Sequence, residues 1–371
     1  MYSSWVEVSK SAILYNLNQY QKLVGSSVAV MPIVKSNAYG HGLMEVAKLV
    51  APKVKWLGVV NLKEALALRH QGITKNIFVL SYINEKNLQE GIRKNIDLPV
   101  YDIQSAKRIS REALKVKKLA KIHVKIDTGA TRVGVSTKAA LSFIKEVAKL
   151  PNIKIAGIYS HFAAAEDNQN YTNKQLEKFN QILKKIEVTG IKIPLKHFGC
   201  SAAVLTTPQS YFNLVRLGVS LYGLWPSVEA KKIVHRRKKS FNLKPALTWK
   251  TKILQVKKIP AGTKVGYGCS YTAKKAITMA VIAAGYWEGY DRHLSNKGIV
   301  VVKGKRCPVI GRVCMNISMI DISGVNNVKA GDEVVLISPK NSAEEMAKKI
   351  GTINYEVVTR INPLLERIYV K

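Results

Sequence analysis

Residues 121–160 read KIHVKIDTGATRVGVSTKAALSFIKEVAKLPNIKIAGIYS, one full strand, helix and strand in succession. Lys121 to Asp127 and Ile153 to Ser160 are apolar-rich runs of strand length. Between them, Thr137 to Leu150 sets Leu141, Ile144, Val147 and Ala148 on one helical face. The same pattern extends in both directions. Further strand-length runs occur at Val28 to Val34, Trp56 to Val60, Asn76 to Ser81, Leu98 to Tyr101, Leu195 to Phe198 and Asn213 to Leu217. Helical periodicity marks Leu43 to Val50, Leu62 to His70, Gln104 to Lys117 and Lys174 to Glu187. Eight such runs suit a closed (β/α)8 TIM-type barrel, usually about 250 residues, with a doubly wound open sheet as the alternative. No eighth helix is assigned, because Gly223 to Pro226 breaks the pattern.

Lys231 to Lys239, KKIVHRRKK, reads as a basic connection, after which short alternating runs replace the helices. Leu247 to Ile259, Met279 to Ala284, Gly298 to Val302, Cys307 to Val313, Ser318 to Ile322 and Glu333 to Ile337 are expected strands; only Ala343 to Ile350 reads as helix. The expected organisation is a barrel over 9–238 and a C-terminal β domain over 239–371. Residues 1–8 are expected to add a strand to the second domain, and a helix from about Ser11 to Leu23 follows.

The chain has 371 residues, 47% hydrophobic and 22% charged, which is globular composition and excludes disorder as the main state. Lys and Arg number 59 against 24 Asp and Glu, a net charge of +35 that attracts anions. These cations are spread over most helices and aromatics make up only 8%, so no stacking surface and no specific nucleic-acid partner are expected. The start, MYSSWVEVSK, lacks the order of a signal peptide, and the longest uncharged stretch, Phe198 to Val215, is interrupted by polar residues and Pro. Cys200, Cys269, Cys307 and Cys314 form no C-x-x-C pair. They read as reduced thiols of a cytoplasmic protein without a membrane span.

Barrel chemistry gathers at the C-terminal strand ends. Those ends present Lys35, the stretch KIDTGATRVG, His161, Ser201 and Gly218. Lys35 follows a buried apolar run, where desolvation favours the neutral amine. Ser201 and Gly218-Val219 offer small residues and N–H groups for a phosphate, although Ser201-Ala202-Ala203 also reads as a helix cap with helix formers. A lone Asp127-Thr128-Gly129 is half of an aspartic-protease pair, and Gly266-Tyr267-Gly268 lacks a third glycine. Scattered histidines argue against a metal site.

PIVKSNAYGHG, KIDTGATRVG, YSHFAAAED, VRLGVSLYG, VGYGCSYTA, GRVCMN and INYEV, in this order, resemble the pyridoxal 5'-phosphate-dependent alanine racemases over nearly the whole chain. The resemblance implies a barrel with a C-terminal β domain, a homodimer with shared active sites, a small amino-acid substrate, and D-alanine supply for peptidoglycan. It makes Lys35 the cofactor-bearing lysine and one acid-base group, and Tyr267 the other, coming from the partner subunit. A tyrosine with an ordinary pKa near 10 needs cationic neighbours to serve as a base near neutral pH. Arg216 would donate to the pyridine nitrogen, weakening the ring as an electron sink and disfavouring transamination. His161 would contact Arg216. Tyr39, Ser201, Gly218, Val219 and Tyr355 would hold the phosphate, Arg132 and the Met315 backbone the substrate carboxylate. Lys125 aligns with a lysine that is often carbamylated, and His197 and Tyr286 with supporting positions.

The chain departs from that pattern at three places. Asn316 stands where the family usually has Asp, Cys200 replaces an Asn, and Glu166 an Asp. The first leaves one negative charge missing beside Tyr267, so racemisation of broader range, or of serine or a basic amino acid, is an alternative. A noncatalytic cofactor- or anion-binding protein is a further one, against which both Lys35 and Tyr267 speak.

Overall fold

The computed structural model describes residues 3–83 and 85–371. Contacts divide the chain into two units: Ile13–Ala38 with Leu43–Lys244, and the chain before Ile13 with Tyr39–Gly42 and Pro245–Lys371. Among the described residues the first unit holds eight barrel strands, Ala29–Pro32, Trp56–Val59, Asn76–Val79, Ile96–Val100, Ala120–Asp127, Ile153–Tyr159, Leu195–His197 and Leu214–Leu217, all parallel, and a two-residue strand, Val135–Ser136, that pairs beside the fifth. The second to seventh pair in sequence order. The first pairs with the eighth from Leu214 opposite Ala29 to Leu217 opposite Pro32, and Ile33 bridges Gly58 of the second. Arg216 N–H donates to Gly199 O at 2.9 Å and closes the circle between seventh and eighth. The sheet is therefore a barrel, not an open sheet.

Alternation along the strands sorts their side chains. In the fifth, Ile122, Val124 and Ile126 occupy one face, while His123, Lys125 and Asp127 share the other, which looks into the barrel. Gly157 on the sixth strand makes room for this: a Cβ there would lie 2.4 Å from His123 Nδ1.

The stretch read as a basic connection differs from that reading. Lys231 to Lys239 is mostly the last barrel helix, Val228–Arg237, rather than a connection. Ser227 caps it by accepting from Ala230 N–H at 3.0 Å, Ala230 and Val234 are buried, and His235 Nε2 bonds Phe241 O at 2.9 Å. The dense positive charge hides a helix with a narrow apolar stripe.

In the second unit the strand Leu247–Ile259 is the spine. Its first half lies between Ser4–Ser9 and Glu333–Ile337; beyond a register shift between Ile253 and Gln255 it pairs with Ile277–Ile282. Such an irregularity adds the bend that lets one strand serve successive neighbours. The ring runs on through Ser318–Asp321, Lys305–Ile310 and Ile299–Val302 to Glu333–Ile337, and Glu366–Val370 pairs in parallel with Ser4–Ser9. Fully buried Trp249 donates its Nε1–H to Ser4 Oγ at 3.1 Å. Besides Ala343–Ile350 there is a second helix, Asn354–Thr359.

Removing the cap of the last barrel helix by Ser227→Ala is expected to lower stability by about 1 kcal/mol in urea unfolding.

Candidate active site

The first barrel strand leads through buried Ile33 and Val34 to Lys35. Ser36, Asn37, Ala38 and Tyr39 then adopt φ of 55°, 54°, 51° and 53°. A left-handed turn of residues bearing a Cβ costs roughly 1–2 kcal/mol per residue and persists only where its surroundings enforce it. Here Ser36 N–H donates to Glu64 Oε1 at 2.7 Å and Val60 N–H to Glu64 Oε2 at 3.0 Å. Leu43 N–H donates to Asn37 Oδ1 at 3.0 Å. Glu64 is placed by Asn61, which caps Leu62–His70 and accepts from Glu64 N–H at 2.9 Å. Burial, then the Arg132 guanidinium, draws the Lys35 amine below its ordinary range; Glu64 opposes them. Sequence reasoning missed Glu64, yet Asn61 and Glu64 stand at the three-residue spacing of a capping box.

Arg216 is 4% exposed in the barrel lumen. Its Nη1 donates to His197 Nδ1 at 2.8 Å and to His197 O at 2.9 Å; its Nη2 donates to Ser160 O at 2.7 Å and Phe198 O at 3.1 Å and lies 3.3 Å from His161 Nδ1. A guanidinium only donates, so His197 Nδ1 is the acceptor and its proton sits on Nε2. That nitrogen meets His123 Nδ1 at 2.9 Å, which fixes the His123 proton on Nε2, 3.1 Å from Asp97 Oδ2. Arg216, His197, His123 and Asp97 thus form one buried chain with every donor pointing the same way. Phe78 stacks on His123 at 4.3 Å and Tyr159 on His197 at 4.9 Å, fixing both rings. Arg216 Nε–H has no acceptor among the described residues and remains available to a ligand.

Lys35, Lys125, Arg132, His161 and Arg216 act on one another electrostatically at the C-terminal mouth. Burial, then Arg132 and Arg216, brings the Lys125 amine down to about 8, and Asp127 opposes them. Burial lowers Arg216 to about 10. Burial and the neighbouring cations hold His161 neutral, well below its usual value; burial, Arg216 and His123 do the same for His197. The site is an electropositive well, with two amines that lose their protons more easily than lysine ordinarily does. Gly218 N–H donates to Ser201 Oγ at 2.9 Å, and Val219 opens the following 3-10 turn. Cys200, not Ser201, occupies the cap position of Ser201–Thr206, which frees the Ser201 hydroxyl for this contact.

Tyr39, Tyr267, Met315 and Tyr355 belong to the other unit. Tyr267 is 71% exposed between Gly266 and Gly268, whose φ of 71° and 66° require glycine. A Cβ at Gly268 would lie 2.9 Å from Arg312 Cζ, so a guanidinium packs against the turn that presents Tyr267. Trp287 N–H donates to Met315 O at 2.8 Å and Tyr286 N–H to Cys314 O at 3.0 Å. Asn316 Nδ2 donates to Glu288 Oε1 at 2.9 Å. The anion absent at 316 is thus supplied one hydrogen bond away, a feature sequence reasoning missed.

The profile described as "Alanine racemase, N-terminal domain" matches residues 8–226, and "Alanine racemase, C-terminal domain" matches 246–369. An alanine racemase of Methanococcus maripaludis is 40% identical over 98% of this chain and 98% of its own. The structure of a Clostridium difficile alanine racemase superposes with a TM-score of 0.94 at 34% identity, covering 100% of this chain and 96% of that one. One from Bacillus anthracis with bound L-Ala-P gives 0.90 at 34% identity, with the same coverage.

His123→Phe removes the middle of the chain and leaves the His197 Nε2–H and the Asp97 carboxylate without partners in the interior. A stability loss of about 2–4 kcal/mol is expected in urea unfolding; a change under about 0.5 kcal/mol would contradict the chain.

Proposed function

The chain belongs to the alanine racemase family and is an isomerase of that kind, and from this premise we propose that it interconverts L- and D-alanine as a pyridoxal-phosphate-bearing homodimer with two acid-base residues. The observation that carries this reading is the electropositive well in which buried Lys125 and Arg216 meet half-buried Lys35, with exposed Arg132 at its mouth and one guanidinium N–H left to donate. A planar dianion with a ring nitrogen acceptor and an aldehyde fits that donor set: a low-pKa amine, an Nε–H without an acceptor, and the Ser201 hydroxyl beside Gly218. Pyridoxal phosphate, when bound, makes the Cα–H of an amino acid acidic.

The chain's own residues then have distinct tasks. Lys35 holds the cofactor. Its lowered basicity lets the amine take a Cα proton on one face and return it near neutral pH. Tyr267 serves the opposite face; one base alone would return the proton to the side it left. Arg216 donates to the ring nitrogen through a proton it does not surrender, and its orientation is fixed by His161, His197 and the chain to Asp97. Ser201, Gly218, Val219, Tyr39 and Tyr355 hold the phosphate, and Arg132 with the Met315 backbone the substrate carboxylate. A carbamate on Lys125 would turn a repelling cation into an anion that orients Arg132, and an amine brought to about 8 has the free base such a reaction needs.

Exposed Tyr267, Tyr286, Trp287 and Met315 support a face covered by a second subunit. Supply of D-alanine for peptidoglycan in the cytoplasm follows from the family. Four free cysteines are compatible with that compartment, and among the described residues no helix is long and apolar enough to cross a membrane.

Two outcomes test this reading. Lys35→Ala and Tyr267→Phe homodimers should each be nearly inactive, and subunit exchange between them should restore about a quarter of wild-type L- to D-alanine conversion, since half the dimers regain one whole site; no recovery would contradict shared sites. In 13C-bicarbonate, a carbamate resonance should rise as pH increases through about 8, where Lys125 gives up its proton, and be absent from Lys125→Ala.

A further inference from the structure

We propose that the N-terminal face of the barrel docks on anionic lipid bilayers. Barrel helices run against their strands, so the helix-to-strand connections all emerge on this face, away from the site above. None of the eight connections, 25–28, 51–55, 71–75, 94–95, 116–119, 149–152, 188–194 and 207–213, contains Asp or Glu, and six contain lysine. Connections at the opposite face include Asp102, Glu166 and Asp167. Lysines in a last helical turn, such as Lys53 of the 3-10 turn Ala51–Lys53, complement the helix dipole, but Lys55 and Lys75 lie beyond their helices' last turns. Together with Lys22 these three line an open cleft of about 790 Å³ that also presents Ser26 and Ser27. Among the described residues no carboxylate pairs with any of these four lysines. A phosphate headgroup is the anion the cleft fits.

Exposed aliphatic side chains on the same face favour a bilayer over nucleic acid. Val188 is 87% exposed, Leu114 61% and Leu119 52%, and Lys118 and Lys192 lie in the connections beside them. The exposed aromatics Tyr82, Tyr171, Tyr267, Tyr286 and Trp287 all lie outside these connections, and the two rings inside them, Tyr211 and Phe212, are half-buried, so the face offers no exposed ring for bases to stack on. Lysines over lipid phosphates with short aliphatic tips at the headgroup boundary are the chemistry of peripheral membrane contact.

Cosedimentation of the full chain with phosphatidylcholine vesicles, with and without phosphatidylglycerol, at about 0.1 M salt tests the proposal. Binding is expected only with phosphatidylglycerol. Lys118→Glu/Lys192→Glu should weaken it at least about tenfold and Leu119→Ser/Val188→Ser about threefold, while the charge-matched Lys257→Glu/Lys258→Glu on the β domain changes it less than about twofold. Circular dichroism and racemisation rates confirm that each variant is folded. Absence of vesicle binding would overturn the proposal, as would equal losses from both charge reversals. Tighter binding to duplex DNA that falls in the same face variants would replace it with a nucleic-acid surface.

Discussion

A guanidinium inside a barrel must find acceptors for its protons and an anion for its charge, and much of the lumen is arranged around that requirement for Arg216. Its nearest acceptors are the Ser160, His197 and Phe198 carbonyls and two imidazoles, none of them charged. Its hydrogen-bonded path to a carboxylate runs through His197 and His123 to Asp97, so four different strands contribute to one chain. Gly157 opens space for His123, and Phe78 and Tyr159 clamp the rings. With the anion held two imidazoles away, the positive charge of Arg216 still acts at the mouth, where it adds to burial and Arg132 in lowering the proton affinity of Lys125. An adjacent carboxylate would have quenched that potential; a wholly apolar lumen would not have tolerated the cation.

Strain at the end of the first strand belongs to the same design. Four consecutive residues in left-handed backbone are unfavourable in isolation, and the Glu64 carboxylate ties that turn to the next βα connection. The same carboxylate supports the protonated form of Lys35, so backbone geometry and amine basicity are coupled through one side chain. Local rules of sequence are broken here, at the candidate site, as is common where a side chain must be aimed.

Much of this was legible in the sequence for physical reasons. Strand-length runs alternating with amphipathic segments have few closed solutions, and the count of eight pointed to a barrel; the candidate site residues of the barrel stand at strand ends, where loops converge. What stayed hidden was either nonlocal or disguised by composition. Asp97, His123 and His197 are far apart in the chain, although alternation in KIHVKID already put His123 on the face of Lys125. The helix Val228–Arg237 was masked by its own lysines and arginines. Glu288 beside Asn316 shows why a missing residue is a poor guide to a missing charge: the carboxylate comes from a neighbouring loop.

The barrel well and Tyr267 are proposed together to move a proton between two faces of an amino acid. Proton–deuterium exchange at Cα, followed by NMR in heavy water with added pyridoxal phosphate across L-alanine, L-serine and L-lysine, tests it most directly. Fastest exchange is expected with L-alanine, with concurrent appearance of D-alanine, and Tyr267→Phe is expected to exchange only the enantiomer whose proton faces Lys35. No exchange despite cofactor bound at Lys35, or exchange without any D-enantiomer from the wild-type chain, would contradict it.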